Sequence, residues 1–220
     1  MKRTLGILLI AVVIVLLATG SYTKHEDPQP SDDSVAQTST AIPAPSNAEP
    51  APEESTSQFV IDGQTVQLET VSELSDKVSL LIPKTFGIMS EEVAKIKYPS
   101  GNRPSVIYTD DSGSVNIALN YTQTQVSSTE LEAVLDSMKE SLESFYPTAQ
   151  WLRSEVRTIN DKDVGVLELI TPVAETDIYN LMWFTDVDGQ LLIATFNCTK
   201  EQIDDWKPVG ETILNSFKLQ

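Results

Sequence analysis

The chain of 220 residues has little histidine and little cysteine: one of each, His25 and Cys198. One thiol cannot form an intramolecular disulfide, so a domain made from this chain rests on its own core. The only histidine falls in a stretch without hydrophobic periodicity. The remainder therefore lacks the base of a Ser-His-Asp or Cys-His site and the usual Cys/His ligands of zinc. A glycine-rich phosphate loop and a dinucleotide fingerprint are missing too. Basic residues are scarce, 15 Lys and Arg against 32 Asp and Glu, for a formal net charge of −17. Such a surface repels phosphate backbones and anionic lipid, which argues against nucleic acid as a partner, and it keeps the chain soluble.

What is present begins with Met1-Lys2-Arg3 and an apolar run from Leu5 to Ala18. A charged start followed by such a run is the pattern of a secretory signal. The run falls short of the about 20 residues that a stable span needs. Lys2 and Arg3 favour an inside N-terminus, which sends the rest of the chain outside. Ala18-Thr19-Gly20 offers small residues for cleavage before Ser21; left uncleaved, residues 1–20 would be an anchor and the only membrane contact. No cysteine follows the run, so lipid attachment there is excluded.

Residues 21–57 form a second segment, dense in Pro, Ser, Thr and acidic residues. Glu26, Asp27, Asp32, Asp33, Glu49, Glu53 and Glu54 stand against Lys24. Such a composition cannot bury enough apolar surface to offset ordering, and it reads as a disordered linker. A flexible chain of this length reaches on the order of 35 Å, enough to hold a domain clear of a lipid surface.

Residues 58–220 carry clear periodicity and read as one α+β domain. Phe59–Ile61 and Thr65–Thr70 flank Asp62-Gly63 as a hairpin, and Val78–Ile82 is a strand. Ser90 caps a short helix ending near Tyr98. Ser105–Thr109 and Ser114–Thr122 are strands. Thr129-Glu130-Leu131-Glu132 reads as a capping box opening a helix with Leu131, Val134, Leu135, Met138, Leu142 and Phe145 on one stripe. Then come Leu152–Ile159, Val164–Thr171, Ile178–Thr185 and Gln190–Cys198. In the last of these Leu192, Ala194, Phe196 and Cys198 face one way and Leu191 and Ile193 the other, so both faces should be covered. Thr199–Gln202 caps a final helix with Ile203, Trp206, Val209, Ile213 and Phe217 inward, kinked or restarted at Pro208. The order describes an antiparallel β-sheet with helices on both faces.

No residue here is assigned a catalytic, cofactor-binding or metal-binding role. Asp186-Val187-Asp188-Gly189 and Asp110-Asp111-Ser112-Gly113 suggest calcium loops but lack the further ligands, and hairpin turns explain them. Asn120-Tyr121-Thr122 and Asn197-Cys198-Thr199 match a glycosylation triplet inside strands, a coincidence. Cys198 should point into the core beside Phe196. Trp151, Trp183 and Trp206 have the spacing of core or sheet-face residues.

Several strings resemble a known family. Leu81-Ile82-Pro83-Lys84-Thr85-Phe86 is similar to the early strand-then-proline segment of PsbP-like domains, and Ile213-Leu214-Asn215-Ser216-Phe217-Lys218 to the end of their last helix. Lys97-Tyr98-Pro99, Asn102-Arg103-Pro104, and Tyr179-Asn180-Leu181-Met182 through Phe196-Asn197-Cys198 resemble small bacterial surface proteins of that fold, related to the DcrB group. The resemblance implies an αβα sandwich around an antiparallel sheet, in a family made mostly of binding or assembly modules. It carries no catalytic motif to this chain.

Together these readings point to an exported, non-enzymatic binding or assembly module at the outer face of a bacterial membrane, with an unidentified envelope protein as partner and no cofactor. A carrier for a small ligand or cation, and a hydrolase using acidic residues alone, are the alternatives. The segment division is tested by mass spectrometry of the mature protein. The expected N-terminus is Ser21; a mature chain that keeps Leu5–Ala18 would mean an anchor instead.

Overall fold

The computed structural model describes residues 58–98, 103–173 and 176–220. The signal or anchor segment 1–20 and the linker 21–57 lie outside the described residues. No helix among the described residues is long and apolar enough to cross a membrane.

Three two-residue turns set the strand registers. β1 (Gln58–Ile61) and β2 (Gln64–Glu73) join at Asp62-Gly63, with φ of 51° and 75°. β7 (Gln150–Ile159) and β8 (Lys162–Thr171) join at Asn160-Asp161, at 46° and 64°. β9 (Ile178–Val187) and β10 (Gln190–Thr199) join at Asp188-Gly189, at 51° and 75°. Paired left-handed residues match the twist of the flanking strands, and Asn, Asp and Gly reach that conformation most cheaply. The loop into β3 (Val78–Pro83) is less ordinary: Leu74, Ser75 and Asp76 all have positive φ.

The remaining strands are β4 (Gly87–Ile88), β5 (Val106–Thr109), β6 (Asn116–Gln125) and β11 (Lys218–Leu219). They do not form one sheet. A seven-stranded antiparallel sheet runs β4-β5-β6-β10-β9-β8-β7, and a smaller sheet runs β1-β2-β3-β11. The single sheet expected from the sequence is corrected here. β2 alternates buried Val66 and Leu68 with exposed Thr65, Gln67 and Glu69, so it has one wet face and lies over the core as a cover.

The helices are α1 (Glu91–Lys97), α2 (Leu131–Phe145) and α3 (Ile203–Ser216). α2 lays Leu131, Val134, Leu135, Met138 and Leu142 on Leu167, Leu169, Met182, Phe184, Leu191 and Ile193. α3 and the small sheet cover the opposite face, where Trp206, Val209, Ile213 and Phe217 meet Leu181, Trp183, Leu192, Ala194 and Phe196. Each such side chain, fully buried, contributes about 1.5–3 kcal/mol. The large sheet therefore has helices on both faces, as expected, with the small sheet as an added layer on the α3 side.

Three local details differ from expectation. The capping box at α2 is Ser127 with Glu130, one short 3-10 turn earlier than Thr129. Phe145 is 68% exposed, because Tyr146, four residues after Leu142, packs against the cluster under α2 in its place. α3 is one continuous helix through Pro208, which sits on its exposed side where water can replace the missing hydrogen bond.

α3 approaches β10 closely at Gly210. A Cβ there would lie 2.7 Å from Cδ1 and 2.9 Å from Cε1 of Phe196. Helix propensity alone favours alanine by about 1 kcal/mol, but overpacking costs about 1–3 kcal/mol, and a ring held at 0% exposure has little room to yield. Gly210→Ala should lower stability by about 1–2 kcal/mol net in urea unfolding; a stabilised variant would show that the helix can lift off the sheet.

Candidate functional site

Polar groups are rare on the two buried faces of the large sheet, and two groupings of them stand out. On the α3 face, Glu168 of β8 is 3% exposed. The Tyr179 hydroxyl donates to its Oε1 at 3.0 Å and Lys207 Nζ lies 2.6 Å from the same oxygen. Arg153 Nε sits 3.1 Å from Oε2, an ionic contact poorly aligned for hydrogen bonding. Arg153 also pairs with Glu211 on α3. Burial, then the neighbouring Glu168 charge, push the Tyr179 hydroxyl pKa well up, so it stays a donor. Cations from β7 and α3 thus neutralise the buried carboxylate and tie the last helix to the sheet. Both oxygens of Glu168 are engaged, and the cluster has a structural explanation.

The second place is the α2 face, at the end covered by α1. Asn116 of β6, Asn197 of β10 and Asn180 of β9 are direct cross-strand neighbours in register, each 0% exposed. Facing residues in such a ladder stand roughly 5 Å apart. The Asn116 amide donates to Gly113 O at 3.2 Å and to Asn197 Oδ1 at 3.1 Å, which fixes the orientation of both side chains. The Asn180 amide donates to Thr171 Oγ1 and to Ile178 O, both at 3.1 Å. The other halves of these amides have no partner among the described residues: Asn116 Oδ1, Asn180 Oδ1 and Asn197 Nδ2. The buried Tyr98 hydroxyl, directly after α1, is in the same condition. Burial pushes its pKa well up, so it remains protonated.

Thr171 and Thr195 share the face with the row, and an apolar cluster borders it. Met89, Tyr98, Ile107, Ala118 and Ile178 form a small cluster to which Val93 and Ala94 of α1 add. The cover itself is lightly held. α1 has no buried residue of its own, and Lys97 Nζ pins its end by donating to Gly113 O at 2.6 Å. Sequence reasoning missed this row. Its signal was available: an asparagine within each of three apolar strands, where asparagine is normally depleted.

The residues singled out from sequence are placed as follows. Cys198 is buried at 0% beside Phe196 and Tyr179, and burial pushes its thiol pKa up to about 12. Asp188-Gly189 is a hairpin turn, with Asp186 bonded to Lys162 at 2.8 Å. Asp110 accepts from Val115 N at 2.9 Å and closes its own loop. Asn120 lies in β6 and Asn197 is buried in β10, unsuited to glycan transfer. Trp183 is core, Trp206 stacks on Phe86 at 5.6 Å, and Trp151 is half-buried under Lys139.

Comparison with solved structures finds likeness at low identity. The solution structure of cyanobacterial PsbP (CyanoP) from Synechocystis sp. PCC 6803 is 16% identical, covers 70% of this chain and 92% of that chain, and has a TM-score of 0.52. LpqN, involved in cell envelope biogenesis of Mycobacterium tuberculosis, is 10% identical over 74% of this chain and 98% of that chain, with a TM-score of 0.48. The Saccharomyces cerevisiae Ran-binding protein Mog1p is 6% identical over 70% and 96%, with a TM-score of 0.44. No family model matches the chain, and no curated protein matches it.

The thiol gives a direct test of the closed core. Because the raised pKa keeps Cys198 neutral at pH 8, Ellman's reagent should label it only after denaturant is added. Labelling of the native protein within minutes would place the thiol outside the core.

Proposed function

We propose that residues 58–220, which have the PsbP-like fold, act as a non-enzymatic binding or assembly module displayed at the outer face of a bacterial membrane, with the amide row under α1 as its recognition element. The row carries this reading. Asn116 Oδ1, Asn180 Oδ1 and Asn197 Nδ2 stand in one buried cross-strand row with no partner among the described residues, and polar groups gathered in this way are suited to a partner that completes them. The N-terminal apolar segment and the acidic linker support display outside the membrane, and the acidic balance of the chain suits an extended solvated stalk. A small-ligand carrier is the second reading, favoured by the same row because its groups lie beneath a cover and not on open surface.

Hydrogen exchange of the full chain, with and without an envelope extract, tests the module. The extract should slow exchange at Met89–Tyr98 and at the amides flanking Asn116, Asn180 and Asn197, while α2 and the small sheet stay unchanged. Exchange that is the same with and without the extract would overturn the proposal.

A further inference from the structure

Two turns carry nearly the same tetrapeptide, Ile61-Asp62-Gly63-Gln64 and Val187-Asp188-Gly189-Gln190. Both bend through the same left-handed pair, with φ of 51° and 75° in each. An Asp-Gly bond has a reaction of its own. The Gly amide nitrogen attacks the Asp side-chain carboxyl carbon, a C–N bond forms and water leaves. Water then opens the five-membered imide at either carbonyl. Opening at the main-chain carbonyl leaves the backbone running through the side-chain carbon, an isoaspartyl link. Water is the only co-reactant, and glycine favours ring closure because no Cβ crowds its nitrogen.

The fold treats the two turns differently. Asp188 pairs with Lys77 at 2.5 Å, and the Gly189 carbonyl accepts from Val126 N at 3.0 Å. That turn joins two ten-residue strands inside the large sheet. Asp62 and Gly63 are both exposed, and among the described residues nothing outside their hairpin bonds to them. A Cβ at Gly63 would meet nothing within 4 Å, whereas at Gly189 it would lie 3.9 Å from Gln125 Oε1. β1 is four residues long and forms the edge of the small sheet. Ring closure needs the turn to flex, and a short edge strand opens locally more readily than a central one. We propose that Asp62 is a modification site, converted through a cyclic imide to isoaspartate, and that Lys77 and Val126 hold Asp188-Gly189 out of the same reaction. The product has one more backbone carbon in a two-residue turn whose geometry sets the register. β1 then loses its pairing with β2, and Phe59 and Ile61 leave the core on the α3 side.

The test incubates the full-length native protein in heavy-oxygen water at physiological temperature and pH, then maps its peptides in ordinary water by mass spectrometry. Each passage through the imide adds one heavy oxygen to the aspartate concerned. Label should build up several-fold faster at Asp62 than at Asp188, with isoaspartate found at Asp62. In urea the two should label at the same rate, because their sequence neighbours nearly match. Asp62→Glu should lose the label at that position, since its longer side chain closes a six-membered ring far more slowly. No label at Asp62 in the native protein, label at Asp188 equal to or above it, or a difference that persists in urea would overturn the inference.

Discussion

β10 has eight consecutive residues, Leu191 to Cys198, at 6% exposure or less. A strand with no solvent-facing side can exist only at the middle of a sheet with a layer on each face. Its even-numbered residues need the cover that α3 and the small sheet provide; its odd-numbered residues need α2 and, further along, α1. The rest of the architecture follows from this requirement. β6 and β9 must flank it, the helices must sit on opposite sides, and Gly210 must be small so that α3 can come down onto Phe196. The Lys207–Glu168 and Arg153–Glu211 pairs then fix the helix laterally.

The edges of the large sheet show how exposure is handled where that requirement ends. β4 is two residues long, too short to template another strand. β7 carries Arg153, Glu155 and Arg157 and a register shift between Trp151 and Arg153, which leaves Leu152 as the extra residue. Charge and a bulge on an edge strand discourage pairing with a second chain. The isolated exposed Val60, Ile88 and Ile96 lie on separate elements.

Much of this was legible in the residues, for local reasons. Asp62-Gly63, Asn160-Asp161 and Asp188-Gly189 announce their hairpins because left-handed turns admit few residue types. The two-sided apolar pattern of Leu191–Cys198 announces a covered central strand. What was not legible depends on distant pairing. β11 meets β3 across a separation reflected in the Gln220–Ser79 hydrogen bond, 141 residues apart, and no local pattern in Lys218-Leu219 signals it. The displaced capping box reflects a 3-10 turn that propensity does not distinguish from the first turn of a helix. The asparagine row escaped notice because each amide alone looks like a tolerated polar residue; only the register of three strands makes it a row.

That register has a further consequence, for how the chain finds its fold. Asn116 and Asn197 are 81 residues apart in sequence, so β6 must wait for nearly all of the following strands before its partner arrives, a slow, non-local closure. A slip of one residue in β6 or β9 would turn its amide into the Phe196 and Trp183 side of the sheet, with no asparagine opposite it. The interior amides therefore act as alignment marks. They make the misaligned sheet worse than the aligned one, because only the aligned frame brings the Asn116 amide onto Asn197 Oδ1.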